Sequence, residues 1–289
     1  MRAKIGFIGL GSLGTPIAIN LAQSDLEFYV YNRTASKAAP VAAKGAIVCE
    51  SIVALAAKCQ VVFTLVSDDS ALGNVVNSGL LKHLQPGGVH VSISTILPQT
   101  AKDLSEQHKL HGQHYLAAPV FGRPEAAASR KLNFVISGEP AIRQQIEPLL
   151  KDCGAAAVWD FGDDITHANI VKLCGNFLIA AALEAIGEST SLAQRSGVDA
   201  QKMWAMLSQT LFSAPVYQLY SNIILQQKFD QAGFTVKLGL KDLNLVLEQA
   251  ATAGQYLPLA NLLKKNMQEL IQTGKSDLDW SAVSTGAKK

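Results

Sequence analysis

Apolar residues gather in short runs along the first half of the chain and spread into longer helical periodicities along the second. The runs at residues 4–8, 27–31, 60–66, 88–93, 115–120 and 133–137 each have the length and the β-branched or aromatic content of a strand. Helical patterns lie between most of them, at 16–21, 51–58, 98–111 and 140–153. Strand and helix in alternation predict right-handed βαβ crossovers and a parallel sheet covered by helices.

The pattern changes after Trp159-Asp160-Phe161-Gly162. Residues 165–195 form one long helical stretch that Asp163-Asp164 opens as an N-cap pair. It is apolar on most sides, which predicts burial between domains or subunits. Residues 198–270 keep a helical period with no convincing strand, and the tail from Ser276 is expected to be irregular. The predicted fold is therefore an α/β domain over 1–162 and an all-α domain over 163–289 that begins with the long interdomain helix. The boundary is placed at 162–165, and no internal repeat is present.

Composition narrows the class. The 289 residues are 48% apolar and 17% charged, which excludes disorder and predicts one to two domains with a sizeable core. The net charge of +2 and the absence of any basic run longer than two residues before Lys288-Lys289 argue against a nucleic-acid partner. Mean hydropathy is +0.18, but Lys172, Asn176 and Glu184 interrupt the longest apolar stretch, so no membrane span is expected. A strand beginning at Ala3 leaves no room for a signal peptide. Cys49, Cys59, Cys153 and Cys174 lack metal or redox spacing and read as small buried hydrophobes. A cytoplasmic setting follows as an expectation.

Between the first strand and the first helix stands Gly9-Leu10-Gly11-Ser12-Leu13-Gly14. Alone, such glycine spacing is a weak signal. At a strand–turn–helix junction it predicts a Rossmann-type dinucleotide site, with Gly11 admitting a pyrophosphate to the helix N-terminus. The second strand ends Tyr31-Asn32-Arg33-Thr34, where an NAD site usually carries an acid for the ribose hydroxyls. Arg33 offers a charge-assisted fork to a 2′-phosphate and Thr34 adds a hydroxyl and an N–H, so NADP(H) is preferred over NAD(H). Leu65 and Val66, at the carboxyl end of another strand, are expected beside the cofactor.

Lys172 lies in the most apolar helix, with Asn176 one turn on along the same face. An apolar setting lowers a lysine pKa towards the range useful for proton transfer, whereas a lysine at the helix rim merely snorkels to water. His108, His111 and His114 read as polar surface histidines rather than a metal set, because Gly112 interrupts them and no fourth ligand is arranged. Asp68-Asp69 reads as a turn or helix cap. Met203, Trp204, Met206, Phe212, Tyr217 and Tyr220 read first as helical-domain core, with one or two able to line a pocket.

Five ordered motifs together carry a resemblance. They are the 9–21 fingerprint, Ser94-Thr95 before Pro98, Ala118-Pro119-Val120 before Gly122, Lys172 with Asn176, and Phe234 leading to Lys241-Asp242. Across nearly its whole length the chain resembles the β-hydroxyacid dehydrogenase family, which includes 3-hydroxyisobutyrate dehydrogenases and glyoxylate/succinic semialdehyde reductases. The resemblance implies that Lys172 is the general acid/base, that Asn176 helps hold the substrate, and that Thr95 and Lys241 contact the cofactor. It also implies a small aldehyde or keto-acid substrate and a homodimer or homotetramer. The chain departs from the family at its substrate loop, where Ala117 replaces an acid and Phe121-Gly122-Arg123 replaces Ser-Gly-Gly. Phe121, Gly122 and Arg123 remain substrate-binding candidates through backbone N–H groups and a guanidinium, although Arg123 reads equally as a surface loop residue. The Phe121 change keeps open an imine or bulkier-carbonyl reductase. A cofactor-binding scaffold without catalysis is the alternative from another class.

Overall fold

The computed structural model describes residues 3–288. They divide into two compact units, the first ending at Lys172 and the second starting at Leu173. Six strands, β1 (Lys4–Ile8), β2 (Glu27–Tyr31), β3 (Ile47–Val48), β4 (Val61–Thr64), β5 (Val89–Ser92) and β6 (His114–Ala117), form a sheet in the order β3-β2-β1-β4-β5-β6. Every pairing in it is parallel. Helices α1 (Gly14–Ala22), α2 (Ala39–Ala42), α3 (Ile52–Ala56), α4 (Asp69–Val75), α5 (Leu81–His83) and α6 (Pro98–Leu110) supply the connections.

Alternation along the strands feeds two cores. Ile5, Phe7, Val61, Phe63, Val89 and Val91 pack with Ile17 and Leu21 of α1. Ile8, Val62 and Tyr115 turn the other way, towards Leu55, Leu72 and Leu104. Burial on both faces explains why these strands read as continuous apolar runs. The strand order reverses between β1 and β4, a switch point whose carboxyl ends conventionally face ligand.

The apolar run expected as one strand over 115–120 is two. Pro119 lacks a ladder donor, so β6 stops at Ala117 and β7 (Val120–Phe121) begins a second sheet. There β7 pairs antiparallel with β8 (Leu132–Ile136), and β8 pairs parallel with β9 (Ala155–Asp160). Helices α7 (Pro124–Ala128) and α8 (Pro140–Asp152) join these strands. The run at 133–137 thus belongs to this small sheet and does not extend the large one.

The long helix α9 (His167–Arg195) spans the division between the units. Asp164 opens it, accepting bonds from the Thr166 N–H and hydroxyl, while Asp163 instead takes the Arg143 guanidinium. By length and composition α9 is, among the described residues, the one helix able to cross a membrane, and half of its most apolar window is buried. Burial is one-sided rather than all round: Leu183 and Ile186 are inside, but Leu178 and Leu192 are exposed. Cys174 is exposed too, against the expectation that all four cysteines are buried.

The second unit continues with α10 (Ala200–Leu207), α11 (Pro215–Gln226), α12 (Val236–Thr252) and α13 (Pro258–Gln272). Trp204, Tyr220, Val236, Leu263 and Met267 centre its core. The tail is not irregular. It forms a 3₁₀ stretch from Trp280, whose indole packs into the core and donates to the Tyr220 hydroxyl at 2.8 Å. Asp279 anchors this stretch by accepting bonds from the Ser281 hydroxyl and the Gly233 N–H.

Candidate functional site

The exit of β1 is shaped by three glycines that do different work. Gly9 has φ +107°, and a Cβ there would stand 2.1 Å from the Leu65 carbonyl oxygen. Gly14 meets the Gly9 carbonyl equally closely, so both are required for close packing of the chain on itself. Gly11 is open, with nothing within 4 Å of an added Cβ. Leu13, at the N-cap of α1, makes no side-chain bond to the helix. Exposed Gly11 and Ser12 therefore lead into a helix start whose N–H groups suit a phosphate, and these residues fit a dinucleotide pyrophosphate.

The exit of β2 is tied to this turn. Asn32 accepts the Leu10 N–H at 2.9 Å and donates to the Thr34 carbonyl at 2.9 Å, which makes its amide a brace between the two loops. Arg33 and Thr34 are exposed. No carboxylate follows β2, as a 2′-phosphate requires.

Leu65 and Val66 leave the end of β4. The Leu65 N–H bonds the Ile8 carbonyl at 3.0 Å, and the Val66 N–H bonds the Ser94 hydroxyl at 2.9 Å. Asp68 caps α4 through the Ala71 N–H, and Asp69 accepts the Leu97 N–H at 2.9 Å. Both acids are thus structural. Asp69 ties the start of α4, which follows Leu65 and Val66, to the loop carrying half-buried Thr95.

On β7 and its following turn sit Phe121, Gly122 and Arg123. The Lys172 ammonium lies over the Phe121 ring, 4.1 Å from its centroid, and Lys172 is only 9% exposed. Lys172 is therefore not a rim residue snorkelling to water. Gly122 has φ +144° and abuts Leu132. Arg123 is mostly covered and places its Nε 3.7 Å from Glu125. Three residues before Lys172, buried Asn169 reaches the Ile96 carbonyl at 3.4 Å, and its amide oxygen has no partner among the described residues.

Within the second unit, Asn176 donates its amide to the buried Asp242 carboxylate, which also pairs with the Lys241 ammonium. Asp242 is thus the hub between α9 and α12. The sequence shows Asp242 only as part of the Lys241-Asp242 motif, and no motif singles out Asn169. The Lys241-Asp242 adjacency was the available signal for the first. The second had only its helical spacing from Lys172.

The histidine reading needs correction. His108 is fully buried, not a surface residue, and it bonds His90 and Gln113. His111 is exposed, and no metal-binding group occurs among the described residues. Of the methionine and aromatic stretch, Trp204 and Tyr220 are core, whereas Met206 is 55% exposed.

A family model described as the NAD binding domain of 6-phosphogluconate dehydrogenase matches residues 4–166. A second, NAD-binding of NADP-dependent 3-hydroxyisobutyrate dehydrogenase, matches residues 166–285. The chain is 39% identical over 282 residues to the uncharacterized oxidoreductase YfjR of Bacillus subtilis (strain 168), covering 97% of this chain and 98% of that one. It is 28% identical over 287 residues to the chloroplastic glyoxylate/succinic semialdehyde reductase 2 of Arabidopsis thaliana, covering 99% and 79%. The solved structure of Psf3 in complex with NADP+ and 2-OPP superposes with a TM-score of 0.88 at 25% identity, over 98% of this chain and 99% of that one. The chain belongs to the β-hydroxyacid dehydrogenase family and is an NAD(P)-dependent oxidoreductase.

Proposed function

We propose that this oxidoreductase is an NADP(H)-dependent reductase of a small aldehyde or keto acid, with Lys172 as its general acid. The observation that carries the reading is the buried Lys172 ammonium held against the Phe121 ring. The glycine turn over Gly9–Gly14 would hold the pyrophosphate, with Arg33 and Thr34 at the 2′-phosphate and Leu65, Val66 and Thr95 along the same carboxyl edge. Bound NADPH supplies the hydride. Lys172 gives one Nζ proton to the carbonyl oxygen as negative charge develops there, and in the oxidative direction the neutral amine takes it back. Around Lys172, the Gly122 and Arg123 N–H groups and the Arg123 guanidinium would take an anionic substituent of the substrate. The glyoxylate/succinic semialdehyde relative supports this substrate class. We also place the protein in the cytoplasm, as a homodimer or homotetramer for which exposed Leu178 and Leu192 offer apolar surface.

The test is NADPH oxidation with glyoxylate, succinic semialdehyde, tartronate semialdehyde, simple aldehydes and cyclic imines, with NADH as the alternative cofactor. Lys172→Ala should lower turnover by roughly 10²–10⁴-fold, the usual worth of a positioned acid. Full activity in that variant would remove Lys172 from the chemistry. Phe121 favours a second reading, because its bulky apolar ring beside the amine suits an imine or larger carbonyl. Turnover of cyclic imines above that of the semialdehydes would select it.

A further inference from the structure

Thr64, His90, His108 and Gln113 form an unbroken hydrogen-bonded chain inside the first unit. Thr64 Oγ1 lies 2.9 Å from His90 Nε2, His90 Nδ1 lies 2.8 Å from His108 Nε2, and His108 Nδ1 lies 2.8 Å from Gln113 Oε1. All four residues are buried. The chain has one direction. Gln113 Nε2 donates to the Leu81 and Leu84 carbonyls, which leaves Oε1 to accept. Burial holds both histidines below their usual range and so keeps them neutral; His108 then donates from Nδ1 and accepts at Nε2, His90 does the same, and Thr64 donates its hydroxyl proton.

The chain ends where the dinucleotide loops begin. Thr64 is the last residue of β4, and its carbonyl takes the Ile93 N–H at 2.8 Å. The next carbonyl, that of Leu65, is the atom against which Gly9 has no room for a Cβ. A shift of a few tenths of an ångström at the end of β4 is therefore felt in the glycine turn. We propose that Thr64, His90 and His108 are positioning residues for dinucleotide binding, fixing the exit of β4 against that turn from within the sheet.

Binding is read without substrate, by fluorescence titration of NADPH and of NADH, well below each variant's melting temperature. Thr64→Val keeps the side-chain shape but leaves His90 Nε2 buried without its donor. It should raise the dinucleotide Kd about fivefold or more, with a ceiling of about 150-fold where the whole cost of an unpaired buried polar group falls on binding. Thr64→Ser restores the hydroxyl and should stay within about twofold of wild type. His108→Asn keeps a donor towards Gln113, drops the acceptor for His90, and should weaken binding in the same way. The double variant should bind no worse than the weaker single one, because both break one chain. A merely structural role lowers the melting temperature and leaves Kd unchanged. That result in Thr64→Val and His108→Asn, or fully additive losses in the double variant, would overturn the proposal.

Discussion

Arg33 stands exposed at the exit of β2, where an acidic side chain would repel a 2′-phosphate, and no ion pair holds it among the described residues. Its contribution falls on one cofactor and not the other, since NADH lacks the phosphate. Arg33→Ala should therefore lower kcat/KM for NADPH by roughly tenfold or more, the worth of a charged hydrogen bond, and leave that for NADH nearly unchanged. Equal losses with both cofactors would assign Arg33 to the loop alone. Such single-residue candidates can be named from the sequence, because glycine spacing and the residue after a strand have recurring meanings in a βαβ unit. Partnerships across the chain cannot. Lys172 and Phe121 meet from α9 and β7, and nothing local in either segment announces the contact. His108 misled for the same reason. Its neighbours in sequence are polar, while its burial comes from β5 and β6 packed beside α6.

Within the turn between β1 and α1, the glycines separate folding from binding. Gly9→Ala forces a positive φ on alanine and drives a Cβ into the Leu65 carbonyl, so it should cost at least about 1–3 kcal/mol of stability. Gly11→Ala meets open space in the protein, so its melting temperature should stay near wild type while dinucleotide Kd rises steeply. Thermal melts and NADPH titration on the two variants check this. A Gly11→Ala protein that binds normally would place the pyrophosphate elsewhere. Most elements could be read from the chain because parallel strands buried on both faces leave uninterrupted apolar runs. Those missed lacked that signature. β3 has two exposed residues at the sheet edge, and β9 begins with three alanines and leaves Trp159 more than half exposed. The tail escaped notice because only Trp280, Ala282 and Val283 are apolar and buried within its polar stretch.

Across the whole chain, the two units carry opposite responses to pH. In the first, burial pulls His108 down to about 4, and burial together with His108 pulls His90 well below its ordinary value. The unfolded chain binds protons near 6.5, so stability is fully present above that pH and is lost as pH falls towards 4. His108 alone accounts for about 3 kcal/mol over that window. In the second, burial, aided by the charge of Glu188, raises Glu184 to about 7. The folded state then holds a proton that the unfolded state releases near 4.5, so stability there falls as pH rises from about 4.5 to 7, by a similar amount. Asn266 donates to one Glu184 oxygen only, which leaves the charge poorly compensated. Calorimetry of the full chain at pH 5 and pH 7.5 should show the two unfolding transitions moving in opposite directions. His108→Asn should flatten the first and Glu184→Gln the second. Even if the transitions merge, Glu184→Gln must raise the melting temperature more at pH 7.5 than at pH 5, because only at the higher pH does it remove a buried charge. An equal change at both pH values would mean that Glu184 titrates as an ordinary surface carboxylate and that the acid response of the molecule comes from the histidine chain alone.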